Sequence, residues 1–196
     1  MIAAAKINYL QGRIARNDDQ QAYRELFVIF YNPLLHFARS FLSSKEQAEE
    51  AVSDVFIHIW EKRRRLETVS NLKVYLYIAT KNTALNYRSR QNKHRTEDLG
   101  EMATELKSIY FNPEQLLITA EMIQRIRQAI NQLPTRCRLI FKLVKEDELK
   151  YREVAEILQL SVKTVEAQMT IALRKIGTVV NFDIQKTVST RPCSSK

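Results

Sequence analysis

Two stretches of the chain place polar side chains where they can bind a polyanion. In the first, Ser161, Lys163, Thr164, Glu166, Ala167, Gln168, Arg174 and Lys175 lie around apolar Val165, Met169 and Leu173, which recur every four residues. That spacing predicts a helix whose apolar side is buried and whose first turns are polar. Glutamine can pair bidentately with adenine, glutamate can accept from cytosine, and alanine can meet a thymine methyl. Arg174 and Lys175, later on the helix, suit phosphates. The second stretch interleaves Tyr75, Tyr77, Lys81, Asn82, Asn86, Tyr87, Arg88 and Arg90. Asn82 and Asn86 share one helical face, and Lys81 and Arg88 another. Cations can neutralise phosphates while aromatic rings stack on unpaired bases, at about 1–3 kcal/mol per base.

Both patterns also suit plainer roles. The first fits a helical hairpin with solvated charges. In the second, Tyr75, Ile78 and Leu85 stand at core spacing, and a helix end rich in lysine and arginine can simply be hydrated.

The elements needed to position these residues follow from local signals. Residues 151–160, YREVAEILQL, form a short helix with Val154, Ala155, Ile157 and Leu158 on one side. A tight turn and Ser161, an N-cap, then start a second helix over VKTVEAQMTIALRKI. This is a helix-turn-helix, in which the first helix braces the second for insertion into a major groove. Upstream, Tyr23, Leu26, Phe27, Phe30, Leu34 and Phe37 predict an amphipathic helix over 20–42, with a bend or break at Pro33. Ser44 and Gln47 form a capping-box pair. The helix they open carries Ala48, Val52, Val55, Phe56, Ile59 and Trp60 as its apolar stripe. Ser70 or Asn71 caps a further helix over about 71–92, and Pro113 and Pro134 open two more.

Composition excludes most other chemistries. The 196 residues include three glycines, too few for the turns of an all-β sandwich or for a phosphate-cradling loop. His36, His58 and His94 lie far apart with no cysteine at ligand spacing, so neither metal nor cofactor is expected. His58, on an apolar-rich helix, reads as a packed or half-exposed histidine. The nearest paired acids are Asp18-Asp19, Glu49-Glu50 and Asp54, and Glu49-Glu50 point to adjacent helix faces with no histidine partner, which argues against a hydrolase. Cys137 and Cys193 are isolated thiols suited to a reducing cytoplasm. No apolar run reaches the roughly 20 residues of a membrane span, and the polar, charged start lacks the core of a secretory signal.

Charge divides the chain. The net charge of +9 resolves into +7 over residues 1–95, −3 over 96–130 and +5 over 131–196. Residues 61–95 alone hold 10 basic and 2 acidic side chains. The expected fold is all-α, with two small helical domains, 1–95 and 113–177. An acidic linker over 96–112 joins them, and a tail over 178–196 remains unassigned.

In this order, QAEEAVSDVFIHIWEKR, NLKVYLYIATKNTALNYRSRQ and LPTRCRLIFKLVKEDELKYREVAEILQLSVKTVEAQMTIALRKI resemble bacterial RNA polymerase sigma factors. The short two-domain form resembles their extracytoplasmic-function group. The resemblance implies that Glu50, Ser53, Asp54 and Ile57 dock on the polymerase clamp helices, Ser53 standing where the family usually has glutamine. It implies recognition and melting of minus-ten promoter DNA by Lys81, Asn82, Asn86, Tyr87, Arg88 and Arg90. The loop 61–70 corresponds to the family's pocket for a flipped non-template base. The helix-turn-helix, with Ser161, Lys163, Thr164, Glu166, Ala167, Gln168, Arg174 and Lys175, would read the minus-thirty-five duplex. Core polymerase, promoter DNA and commonly an anti-sigma factor are the implied partners. The rival reading is a stand-alone helix-turn-helix regulator with a ligand-sensing N-terminal domain. The +8 charge of residues 61–95 speaks against a sensor pocket there.

Overall fold

A computed structural model describes residues 4–92 and 120–189, with side chains described for 4–90 and 122–179. The expected linker 96–112 and the start of the helix expected from Pro113 lie outside the described residues. Among the described residues the secondary structure is eight α-helices and one short 3-10 helix. Contacts divide the chain into two compact units, one built on its first four helices and the other on its C-terminal part.

The first unit holds α1 (Ala4–Asn17), α2 (Gln20–Ala38), α3 (Lys45–Glu61), the 3-10 helix Arg63–Thr68 and α4 (Leu72–Asn92). Its core is aliphatic and aromatic: Leu26, Leu34, Val52, Leu76 and Tyr77 are fully enclosed. Burying each such aliphatic side chain contributes about 1.5–3 kcal/mol. The caps are local. Asp19 accepts from the Ala22 N–H at 3.0 Å, and Asn71 accepts from the Val74 N–H at 3.2 Å. Ser44 accepts from the Gln47 N–H at 3.3 Å. The reciprocal half of the capping box is not made. The Ser44 hydroxyl donates to Glu46 at 2.6 Å, and the Gln47 side-chain oxygen has no partner among the described residues.

The structure refines the sequence reading at three points. Pro33 sits inside α2, which runs through it unbroken. Proline removes one helical hydrogen bond, but Leu26, Phe30, Leu34 and Phe37 on the same face are all buried and hold the helix continuous. The first residues, read only for lack of a leader, form α1, which buries Leu10, Gln11, Ile14 and Ala15. Of the packed and half-exposed alternatives for His58, the packed one is set aside, because α3 turns Val55, Phe56 and Ile59 inward and leaves His58 on the exposed side.

The second unit holds α5 (Ala120–Asn131), α6 (Thr135–Lys145), α7 (Tyr151–Leu158) as far as Ala155, and α8 (Val162–Ser189). Contacts join α8 to both α5 and α6, and Ile130, Ile140, Val165 and Ala172 are fully buried. After α7, Gln159 takes a left-handed conformation (φ 56°) and the Leu160 N–H bonds the Ala155 carbonyl at 2.8 Å. That pairing is a Schellman stop with glutamine in the position glycine usually fills. Ser161 then accepts from the Thr164 N–H at 3.0 Å and opens α8. The helix does not stop at Ile176: Gly177 is not in a left-handed conformation, and α8 continues to Ser189.

Candidate nucleic-acid interface

On α3 the inward residues Val52, Val55, Phe56 and Ile59 leave Glu50, Ser53, Asp54 and Ile57 on one exposed face. Ile57 is 55% exposed, a large aliphatic group facing solvent between acidic neighbours. The Ser53 hydroxyl turns back to the Glu49 carbonyl at 2.8 Å. Beside Ile57 an open groove of about 550 Å³ runs between α2 and α3, lined by Tyr23, Phe27 and Trp60. Trp60 is half-buried, its ring 4.9 Å from Tyr23 and capped by the Arg63 guanidinium at 4.7 Å.

On α4 the exposed set is Asn82, Asn86, Arg88 and Arg90, with Tyr87 half-buried at its edge. Two expectations are corrected. Lys81 is 5% exposed and does not share an open face with Arg88; burial lowers its pKa below the usual lysine value. Tyr77 is fully buried, 5.0 Å from Phe37, so its ring belongs to the core rather than to a stacking surface. Tyr75, Ile78 and Leu85, at core spacing in the sequence, are half-buried. The cause is the apolar first half of α4, LKVYLYIA, which offers several faces for burial and lets neighbouring helices choose.

The exposed faces of α3 and α4 are joined. The Tyr87 hydroxyl donates to Asp54 Oδ2 at 2.7 Å. The carboxylate beside it pushes the phenol pKa up to about 12, with burial and the charge of Glu50 adding to the shift.

Between α3 and α4, residues 62–70 are held from behind. Gln11 of α1 is buried, and its side-chain amide donates to the Leu66 carbonyl at 2.6 Å and the Val69 carbonyl at 2.7 Å. Leu66 is buried under the turn, while Arg64, Arg65, Thr68 and Ser70 point outward. Sequence reasoning missed Gln11. Leu10 and Ile14, four residues apart, were the available signal for an amphipathic helix there.

On α8, Val165 and Met169 are buried as expected, whereas Leu173 is 48% exposed and Ala172 takes its place in the core. After Met169 the buried stripe therefore advances by three residues, not four. Ser161, Lys163, Glu166 and Ala167 are exposed at the start of the helix, Thr164 and Gln168 are half-buried, and Arg174 and Lys175 are exposed further along. The Cys137 thiol donates to the Gln168 carbonyl at 3.2 Å and so ties α6 to the middle of this surface. Among the described residues, no three potential ligands converge on a metal site, and no helix is long and apolar enough to cross a membrane.

Two family descriptions match the chain: Sigma-70 region 2 over residues 26–94 and Sigma-70, region 4 over residues 123–176. Together they span more than half of it. The ECF RNA polymerase sigma-E factor of Escherichia coli is 27% identical over 170 residues, 83% of this chain and 88% of that protein. The RNA polymerase sigma factor YlaC of Bacillus subtilis is 22% identical over 150 residues, 76% of this chain and 87% of that protein. Among solved structures, the sigma factor RpoE from Bartonella quintana, crystallised with the anti-sigma factor NepR, shares the fold. Its TM-score is 0.52 at 21% identity, covering 82% of this chain and 98% of that one. With the α3 and α4 faces inside the first match and the helix-turn-helix inside the second, the chain belongs to the sigma-70 family of RNA polymerase sigma factors, in its extracytoplasmic-function group, and directs transcription initiation.

Proposed function

We propose that the labour of initiation is divided between two modules. Residues 1–95 dock on core polymerase through Glu50, Ser53, Asp54 and Ile57, and engage the melted minus-ten strand through Asn82, Asn86, Tyr87, Arg88, Arg90 and the loop 61–70. Residues 113–177 read the minus-thirty-five duplex through Ser161, Lys163, Thr164, Glu166, Ala167 and Gln168, with Arg174 and Lys175 on phosphates. Lys81 leaves the DNA-contacting set because its side chain lies in the core. The acidic stretch 96–112 joins the modules, and 178–196 takes no assigned part in binding.

The observation that carries this reading is the pairing of two unlike exposed faces on one unit. An acid-and-apolar face on α3 suits a protein helix, and an amide-and-cation face on α4 suits a nucleic-acid strand. Extruding a base costs a few kcal/mol of unstacking, which aromatic stacking of about 1–3 kcal/mol and phosphate contacts can offset. On this reading the protein works in the cytoplasm by binding, not by turning over a substrate. The anti-sigma factor NepR, in complex with the structurally similar RpoE, supports a protein inhibitor of the same class for this chain.

Run-off transcription with core polymerase on a promoter library tests the proposal. Initiation from a defined subset of promoters, absent with core alone, is the expected result. No specific initiation, with tight specific DNA binding by the free protein, would instead favour a stand-alone regulator.

A further inference from the structure

We infer that α1 is a splint for the loop 61–70, and that Gln11 is a positioning residue for base selection at the minus-ten element. The inference rests on the proposed role of that loop as a base pocket. Its physical core is the double hydrogen bond from one amide nitrogen. Gln11 Nε2 carries two N–H bonds and directs them to the Leu66 and Val69 carbonyls, at 2.6 and 2.7 Å. Both acceptors are main-chain atoms, so the hold fixes the path of the loop whatever side chains the loop carries. Leu66 lies buried beneath it, and its carbonyl also accepts the Val69 N–H at 3.0 Å.

Two further ties run along the same side. Asp18, at the end of α1, pairs with Arg63, which also donates to the Trp60 carbonyl at 2.9 Å. Arg16 faces Glu67 at 3.6 Å across an exposed edge, a weak contact by comparison. The outward side chains Arg64, Arg65 and Ser70 are left to meet an extruded base, while the Thr68 hydroxyl donates to the Arg65 carbonyl at 2.9 Å. Held backbone and open side chains are what a selective pocket requires, since discrimination depends on groups kept in place before the base arrives.

Gln11→Met keeps the length and apolar stem of the side chain and removes both donors. Asp18→Asn removes the charge that holds Arg63 while tolerating the left-handed backbone at that position (φ 51°). The test uses full-length protein with core polymerase on promoters randomised across the minus-ten non-template bases, with transcripts sequenced. Base preference at one or more minus-ten positions is expected to fall roughly fivefold in Gln11→Met and less in Asp18→Asn. Polymerase affinity and minus-thirty-five preference should stay within about twofold. An unchanged minus-ten profile in folded Gln11→Met overturns the inference, as does an equal loss of preference at the upstream element. Should Gln11→Met fail to fold, the Asp18→Asn profile decides, and no change there overturns it. Wild-type holoenzyme that initiates without any minus-ten preference removes the base-pocket reading itself, and the inference with it.

Discussion

The Tyr87 hydroxyl on α4 donates to the Asp54 carboxylate on α3 across 2.7 Å, so one hydrogen bond joins the face proposed for polymerase with the face proposed for melted DNA. Removing the Tyr87 hydroxyl from one face therefore frees a carboxylate oxygen on the other. The Asp54 carboxylate has two oxygens. One is taken by Tyr87, which leaves the other for a cation or N–H on a partner protein.

Tyr87→Phe should lower stability by about 0.5–1 kcal/mol near pH 7, below the usual range for a bond to a charged group because the pair is exposed to solvent. The folded-state pKa of about 12 lies above the ordinary tyrosine value of 10. The stabilisation is therefore complete below about pH 10 and is lost as pH rises through about 12. Burial also raises the Tyr23 phenol, so titrating tyrosinate absorbance should show late-titrating phenols in the wild type, one fewer of them in the variant. A normal titration of all eight tyrosines in the wild type would remove the bond.

Ile57→Ala should leave the melting temperature nearly unchanged, since its side chain is 55% exposed and surface truncations cost within about 0.5 kcal/mol. Polymerase affinity should drop by about tenfold, as for a central apolar anchor of an interface. Asp54→Ala should weaken polymerase binding as well, and Tyr87→Phe should not do so by more than about twofold. Fluorescence anisotropy of labelled protein with core polymerase measures all three. Wild-type affinity in Ile57→Ala would take this face out of the interface.

Lys81 and Arg88 should part company under salt titration. Arg88→Ala should reduce the slope of log affinity against log salt for melted promoter DNA by about 0.7, one phosphate contact on a single strand. Lys81→Met should not move it, because the residue is only 5% exposed. Burial lowers the Lys81 pKa, so its charge opposes folding below that value and the cost fades as pH rises towards the ordinary lysine range. Denaturation in urea should then show a wild-type gain with alkaline pH that Lys81→Met lacks. A salt slope lowered equally by both substitutions would return Lys81 to the DNA surface.

Gln168→Ala should relax preference at one position of the upstream element by about 1–3 kcal/mol while preserving the fold, since the thiol of Cys137 binds its main-chain oxygen, not its side chain. Arg174→Ala should instead weaken all sequences alike. Competition binding by holoenzyme on single-base promoter variants separates the two patterns. Uniform weakening by Gln168→Ala would assign it to phosphate or packing.

Gln159→Gly should stabilise the turn between α7 and α8 by about 0.5–1 kcal/mol, because glycine adopts the left-handed conformation without the steric cost borne by a side chain. Thermal unfolding of the full chain measures this. A lowered melting temperature would mean that the glutamine side chain contributes more than the backbone strain costs.

Features under short-range control are legible in the chain alone. Serine and asparagine caps at Ser44, Asn71 and Ser161 mark helix starts because the side chain bonds a backbone N–H a few residues away. The clean stripe of α3 left only one side to bury, and with it the exposure of Glu50, Ser53, Asp54 and Ile57. The helix-turn-helix was legible for the same reason. Packing between helices settled what no local pattern encodes. The first half of α4 is apolar on several faces, so packing against α2 and α3, not periodicity, sent Tyr77 and Lys81 inward and left Asn82 out. Proline did not break α2 because its neighbours on the buried face outweighed one missing hydrogen bond. The joining of Tyr87 to Asp54, 33 residues apart, and of Gln11 to Leu66, 55 apart, depends on two helices meeting at a given register. Such contacts are set by the packed core, and a one-dimensional pattern carries no signal for them.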